Sequence, residues 1–173
     1  MGEVRRKGQL FPVFNSTFEL GLRMVYLLRA LCPNGADLQK LVLLDYAIVY
    51  SGDLGGPRSL HTPVPYRGVE LLSRRELIEN GLYLMSTRAL VGAKIGNDGI
   101  TYEAGPSALS LVGSMTSPYF LDLEERCQWA AKEFARRDSA SLMVEFFDRG
   151  HLWGAELDAS MTPGELWQSS SSA

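Results

Sequence analysis

Apolar residues recur at steps of three and four through the first third of the chain, and this spacing predicts two helices. Ser16 and Glu19 have the S-x-x-E spacing of a capping box, so the first helix should run from about Thr17 to Leu31. Its apolar stripe consists of Leu20, Met24, Leu27, Leu28 and Leu31. The sequence CPNG at 32–35 ends it, because proline and glycine do not continue a helix.

The second helix should begin after Asp37, a favourable N-cap residue. Apolar residues cover nearly its whole circumference, which predicts a deeply buried helix. Asp45 lies within this apolar run. A buried carboxylate must be paired, hydrogen-bonded or protonated, and we expect a structural partner for it.

The stretch 73–104 reads as a helix followed by a β-hairpin. Ser73 and Glu76 form a second capping-box pattern, with Leu72 able to pack on Leu77, so a helix is expected to start at Ser73. Its predicted inner stripe is Leu77, Ile78, Gly81, Leu82, Met85 and Ala89, and Leu77, Leu82 and Met85 are expected to pack on the first two helices.

After Arg88 the apolar period changes from the helical spacing to two, which is typical of strands. Two alternating segments flank GNDG at 96–99, whose residues are expected to supply positive φ angles. A helix followed by a two-stranded wing predicts a winged-helix-like core. The fold class expected is therefore α+β, mostly helical, with additional C-terminal helices.

Three further helices are expected after the wing. A short one should run from Gly105 to about Met115, a long one should start at Ser117-Pro118, and a last one should span about 140–147. Phe120, Leu123, Cys127, Ala130, Ala131 and Phe134 should form the inner face of the long helix, while its charged residues, Arg126 among them, should be solvated. The predicted division is an N-terminal arm at 1–13, a winged-helix-like adaptor domain at 14–137, and a C-terminal helix and tail at 138–173. This last part should pack on the core or on a partner, with Trp153 and Trp167 as candidate contacts.

Composition limits the protein class. With 173 residues, 46% of them hydrophobic, the chain can bury the core of one globular domain. No run approaches the length of a membrane span, so a cytoplasmic location is expected. Cys32 and Cys127 lie far apart inside helical patterns, which predicts buried packing thiols rather than a zinc site or a disulfide.

Charge is unevenly distributed. Residues 1–117 carry 12 Lys and Arg against 10 Asp and Glu, whereas residues 118–173 carry 5 against 10. A protein that binds duplex DNA alone normally offers a strongly basic face. The weak basic surplus of the first part lowers the expectation of an autonomous transcription factor.

The segment 51–68, SGDLGGPRSLHTPVPYRG, is a predicted long loop. Asp53 and His61 suggest acid–base chemistry and its glycines suggest phosphate binding, but the glycine spacing fits no phosphate-binding motif and no nucleophile is placed. Long loops are often functional. We expect this one to bind a partner, with Asp53, Arg58 and His61 as its candidate contacts.

Arg74 and Arg75 are predicted in the first turn of a helix, where the helix dipole is already positive. An acidic group is therefore expected nearby. Glu70, Glu76 and Glu79 could supply it within the chain. Alternatively an acidic protein partner or the DNA backbone could do so, with Arg88 and Lys94 as further contacts.

Four segments carry a resemblance to a known family: FNSTFELGLRMVYLLRAL, DLQKLVLLDYAIVYSGDLGGPRSLHTPVPYR, ELLSRRELIENGLYLMSTRALV and SPYFLDLEERCQWAAKEF. Together they resemble the middle component of bacterial ABC-three-component systems over about residues 14–134. The most specific block runs from DLQKLVLLDY through the GDLGGPRSLHTP loop to RRELIENGL. Residues after Phe134 are expected to lie outside the shared motifs and to carry what is particular to this system.

The resemblance implies a non-catalytic adaptor that works beside an SMC- or Rad50-like coiled-coil ATPase and an effector, as the accessory subunit of Lamassu anti-phage defence does. The residues themselves supply no phosphate-binding motif, metal-ligand cluster or activated nucleophile, so no cofactor, metal, small-molecule substrate or catalytic residue is expected. A DNA-binding winged-helix regulator is the alternative. An enzyme that uses Asp53 and His61 is the remote third hypothesis.

Overall fold

The computed structural model describes residues 16–64, 71 and 73–150. The helices are α1 (Thr17–Leu31), α2 (Leu38–Val49), α3 (Arg75–Ser86), α4 (Ala108–Ser114), α5 (Pro118–Phe134) and α6 (Ser139–Gly150). Strands β1 (Val91–Gly96) and β2 (Gly99–Ala104) form one antiparallel sheet, and a short 3-10 turn spans Ser51–Leu54. The expected mostly helical α+β class with a two-stranded wing is confirmed.

The first two helices start where their capping residues predict. The Ser16 hydroxyl accepts a hydrogen bond from the backbone N–H of Glu19 at 3.2 Å, and an Asp37 carboxylate oxygen accepts one from the N–H of Lys40 at 2.8 Å. Helix α1 has the predicted bounds, and every residue of α2 from Lys40 to Val49 is buried. The prediction of a deeply buried second helix is confirmed.

Helices α1 and α3 cross at two glycines. A Cβ atom built on Gly81 would lie 2.7 Å from the backbone nitrogen of Gly21 and 2.8 Å from the carbonyl oxygen of Thr17. The two backbones therefore touch directly, a separation that no larger residue permits. Leu82 and Met85, which follow Gly81 in α3, are buried as predicted, whereas Leu77 is only partly buried.

The predicted start of α3 is wrong by two residues. The helix begins at Arg75, and Arg74 occupies the N-cap position with helical angles (φ −85°, ψ −11°) and no side-chain cap bond. Ser73 therefore does not occupy the N-cap position that the capping-box pattern predicted for it. Leu72, the proposed packing partner of Leu77, lies outside the described residues.

The wing pairs Val91 with Ala104 at its base and Gly96 with Gly99 at its tip, around a two-residue loop. Within GNDG only Gly99 has a positive φ, 113°, so the expectation of positive angles throughout that segment was too broad. Ala89, placed in the helical stripe by its spacing, is exposed with φ 56°. Ala89 thus has a left-handed backbone conformation between the end of α3 and the start of the hairpin.

The C-terminal helices pack on the same core. Helix α5 begins at Ser117-Pro118 as predicted, and α6 places Leu142 and Phe146 in the main apolar cluster. Two predictions for this part of the core were wrong, since Arg126 is buried rather than solvated and Cys32 is exposed, although Cys127 is buried. Positions 1–13, Trp153 and Trp167 lie outside the described residues.

The lengths and hydropathy of the helices bear on membrane insertion. Within the described part of the chain, no helix is both long enough and apolar enough to cross a lipid bilayer.

Candidate functional site

Asp45, Arg23 and Arg74 form a buried ion-pair cluster. Asp45 accepts hydrogen bonds from Nε of Arg23 at 2.8 Å and from its Nη2 at 3.1 Å, and a third from Nη1 of Arg74 at 3.3 Å. Arg23 also pairs with Glu19 at 3.3 Å. One carboxylate of α2 thereby joins α1 to the residue that precedes α3, and the prediction that Asp45 has a structural partner is confirmed.

The electrostatics of this cluster follow from burial and pairing. Burial raises the pKa of Asp45, but the Arg23 and Arg74 guanidiniums outweigh it, so the pKa lies below its ordinary value. For Glu19 burial is the larger effect, and its pKa is raised despite the nearby Arg23. Asp45 is therefore held ionised in the interior, where its two arginines compensate its charge.

Arg74 consequently has a different role from the one the sequence suggested. Asp45 of α2 is an acidic partner of Arg74, at 3.3 Å. Glu70, one of the predicted partners, lies outside the described residues. Only 7% of Arg74 is exposed. A guanidinium buried to this extent presents little surface to a partner or to DNA.

The loop after α2 is held in place by residues of α5. Nε and Nη2 of Arg126 both donate to the carbonyl oxygen of Arg58, at 2.9 and 2.7 Å. The Ser51 hydroxyl donates to the carbonyl oxygen of Pro57 at 2.8 Å, and Trp129 covers Gly56 so closely that a Cβ there would lie 2.4 Å from the indole ring. This segment is thus an anchored loop with a defined shape.

The anchored loop and α5 enclose a groove of about 560 Å³. Arg58 and His61 line it, together with Asp122 and Arg126 of α5, so the structure brings two of the predicted loop residues to one surface. Asp53 is not among the described residues that line the groove. Its carboxylate accepts a hydrogen bond from the Tyr46 hydroxyl at 2.7 Å.

His61 faces α5 as well as the groove. Its Nε2 lies 3.3 Å from the Tyr119 hydroxyl, and the two rings stack with their centroids 6.2 Å apart. Asp53 and His61 thus each contact a tyrosine hydroxyl. Among the described residues, no group of three or more His, Cys, Asp or Glu side chains could hold a metal ion.

The remaining predicted cations lie on the exterior. Arg75 donates to the Gln39 carboxamide at 3.0 Å, and Lys94, with 71% of its side chain exposed, pairs with Glu103 across the wing at 2.6 Å. Arg88 is exposed after the end of α3. The seven predicted contact residues therefore divide between the interior, the loop after α2 and the region of α3 and the wing.

Apolar surface is exposed in two further places. A cleft of about 270 Å³ lies between the N-terminal halves of α1 and α5, lined mainly by Phe18, Leu22, Tyr119, Phe120 and Leu123. On α6, Val144 and Phe147 are 63% and 52% exposed, one helical turn apart on the same face. Sequence patterns alone did not separate these outward apolar residues from the inner stripes beside them.

The charged anchors Arg23 and Arg126 were also missed. Each has an available signal, because Arg23 lies three residues after Leu20 and Arg126 lies three residues after Leu123, on the inner stripe of its helix. A cation at an inward position indicates a buried partner. Here the partners are Asp45 and the carbonyl group of Arg58.

The architecture defines a small, mostly helical α+β protein with a two-stranded wing, an anchored loop and exposed apolar surfaces. The family model "ABC-three component (ABC-3C) system Middle Component 2" matches residues 13–156, and the chain belongs to that family. The match extends past Phe134 and through α6, so the shared region is longer than the resemblance at 14–134 indicated. No curated protein and no solved structure matches the chain significantly.

Proposed function

We propose that this protein is a non-catalytic adaptor of a bacterial defence complex of the ABC-three-component type, acting in the cytoplasm against phages or plasmids. In this proposal it links an SMC- or Rad50-like coiled-coil ATPase to an effector subunit, as in a Lamassu-type system. The observation that carries the proposal is the family match over residues 13–156. A middle component is by its name one of three parts that work together.

The distribution of surfaces supports a linking role. The apolar cleft of α1 and α5, the exposed pair on α6, and the groove of the anchored loop occupy different elements of the fold. Grouped exposed apolar side chains, as in the cleft and on α6, are typical of protein–protein contacts. An adaptor that joins two partners needs at least two such surfaces.

Co-expression with the ATPase and the effector encoded beside it tests the proposal. Affinity purification of the ATPase should recover the effector when this chain is present and should lose it when the chain is omitted. Recovery of the effector without this chain would contradict the linking role.

The absence of catalysis is tested on the purified chain. We expect no ATP hydrolysis and no nuclease activity above the level of a mock preparation. Turnover that disappears in the double variant Asp53→Asn/His61→Gln would support the enzyme hypothesis instead.

A further inference from the structure

The outer edge of β1 carries backbone groups that point away from the rest of the wing. Tyr102 exchanges two hydrogen bonds with Ala36, from the N–H of Ala36 to the Tyr102 carbonyl at 2.9 Å and from the Tyr102 N–H to the Ala36 carbonyl at 2.8 Å. Both backbone groups of Tyr102 therefore face away from β1. Since Tyr102 is paired with Ala93, that pair makes no hydrogen bonds between the two strands.

Hydrogen-bonded and non-bonded pairs alternate along an antiparallel ladder. Counting from the Ala93–Tyr102 pair, the next non-bonded pair towards the tip is Ile95–Ile100. The N–H and C=O groups of Ala93 and Ile95 are consequently directed outward from β1. No described residue forms a backbone hydrogen bond with them.

The two edges of the wing thus differ. Ala36 pairs with the β2 edge at Tyr102, whereas the β1 edge is exposed along Ala93–Gly96. Proteins usually protect such an edge with a charged side chain, proline, a bulge or a very short strand. Strand β1 has a regular register without proline, and its one charged side chain, Lys94, is paired with Glu103 of β2.

The side chains beside this edge are apolar. Ile95 is 88% exposed and lies opposite Ile100, which is 46% exposed. Ala93 and Tyr102 continue the same face towards the core, since every second residue of a strand points to one side. A strand added beside β1 could therefore cover the exposed isoleucine with an apolar side chain of its own.

We propose that the β1 edge is a docking site for an extended segment of a partner polypeptide, which adds as a third strand with an apolar residue packed against Ile95. The backbone groups of Ala93 and Ile95 provide the hydrogen bonds, as in other cases of strand addition. The inference rests on the proposed adaptor function, because it takes the segment from another component of the complex.

Interface area favours a different protein over a second copy of this chain. Stable dimers bury about 1,200–2,000 Å² in total. Two copies of the exposed residues Ala93–Gly96 paired edge to edge would bury far less than that. A segment of a partner that is already held on another surface needs only the local hydrogen bonds, because tethering raises its effective concentration.

Residue-resolved amide hydrogen exchange tests the proposal in the free full-length chain and in the co-expressed complex. In the free chain the N–H of Lys94 should be protected by β2, while those of Ala93 and Ile95 should exchange rapidly. In the complex, exchange at Ala93 and Ile95 should slow by at least about tenfold, the effect of roughly 1.4 kcal/mol of protection.

Two variants probe the same edge. Ala93→Pro removes an outward N–H without removing a bond of the β1–β2 ladder, a position where strands tolerate proline. Ile95→Lys places a charge on the apolar face, and Asn97→Lys adds the same charge at the exposed loop as a matched control. Both edge variants should weaken binding of the chain to its partner about tenfold, with unchanged melting temperature, and the control should not.

The outcomes separate the inference from the function on which it rests. A complex that assembles normally while Ala93 and Ile95 still exchange rapidly would overturn strand addition and leave the adaptor function intact. Slow exchange of both amides in the free chain at every concentration would overturn it too, and slowing that depends on the concentration of the chain alone would assign the edge to a second copy. If no complex forms, the adaptor function and strand addition both fail.

Discussion

Asp45 brings a charge into a helix in which every residue from Lys40 to Val49 is buried. Desolvation alone would favour its neutral form, yet the two arginines hold its pKa below the ordinary value. A carboxyl group whose pKa is lowered by folding stabilises the folded state at pH values above the pKa that it has in the unfolded chain. That stabilisation is lost as the pH falls towards the pKa that it has in the folded protein. The contribution of Asp45 is therefore complete at neutral pH and declines below about pH 4.

We expect Asp45→Asn to lower the free energy of unfolding at pH 7 by about 3–5 kcal/mol, because it removes the carboxylate that two buried guanidiniums share. The difference from wild type should shrink below about pH 4, because the carboxyl group of Asp45 then binds a proton in the unfolded chain while it stays ionised in the folded one. Urea unfolding at several pH values measures both effects.

The matched control is Asp98→Asn in the exposed hairpin loop, which should change the free energy of unfolding by less than about 0.5 kcal/mol. An Asp45→Asn variant as stable as this control would show that the cluster contributes nothing to stability.

The sequence was sufficient to predict that Asp45 needs a partner, since an apolar helix surrounds it. It was insufficient to identify the partners. Arg23 comes 22 residues earlier and Arg74 comes 29 residues later, so their meeting depends on how three elements pack. Local patterns carry no information on contacts of that range.

At the scale of elements, the crossing of α1 and α3 depends on Gly21 and Gly81. Gly81→Ala should lower the free energy of unfolding by about 1–3 kcal/mol, because its Cβ would meet the backbone of α1 at 2.7–2.8 Å and the helices must separate. Thermal and urea unfolding measure the change.

Gly113→Ala in α4 is the matched control for helix propensity. A Cβ there meets nothing within 4 Å, so the variant should be neutral or more stable by up to about 1 kcal/mol. Equal effects of the two substitutions would argue against a close crossing of the helices.

The loop after α2 depends on Arg126. Arg126→Gln should speed hydrogen exchange at the N–H of Leu60, which donates to the carbonyl oxygen of Val49 at 3.0 Å, because the loop loses two hydrogen bonds from α5. Removing them should cost about 1–3 kcal/mol of local stability. Lys132→Gln, an exposed position on the same helix, should leave that exchange unchanged. If Leu60 exchanges equally in both variants, Arg126 does not anchor the loop.

Sequence periodicity predicted most of the elements, because the inner stripes and the change from helical to strand spacing are local. It erred where the start of α3 was inferred from a capping motif alone, since Arg74 is drawn into the interior by Asp45 and the helix begins at Arg75. It also placed Ala89 in the helix, although the backbone turns into the hairpin there. Tertiary contacts overrode the local preference at both positions.

At the scale of the whole molecule, charge determines whether the chain could bind DNA alone. It has 17 Lys and Arg against 20 Asp and Glu, with a sequence pI of about 5.4. Of the predicted DNA contacts, Arg74 is buried and the exposed Lys94 is paired with Glu103, which leaves Arg75 and Arg88 as two further exposed cations of that region. So few phosphate contacts supply little affinity.

We therefore expect the isolated chain to bind duplex DNA no more tightly than about 10⁻⁴ M at physiological salt, the weak end of non-specific binding. Fluorescence anisotropy across a salt series measures this, with Arg75→Ala/Arg88→Ala as the test variant. Lys132→Ala/Arg136→Ala, two exposed cations of α5 and the segment after it, is the control of equal charge change. The contrary result would be tight binding with a slope of log affinity against log salt that flattens by about 1.8 in the test variant and is unchanged in the control. It would assign two phosphate contacts to the region of α3. That result would favour the DNA-binding regulator over the adaptor, because an adaptor that reaches DNA only through its complex has no need of such contacts.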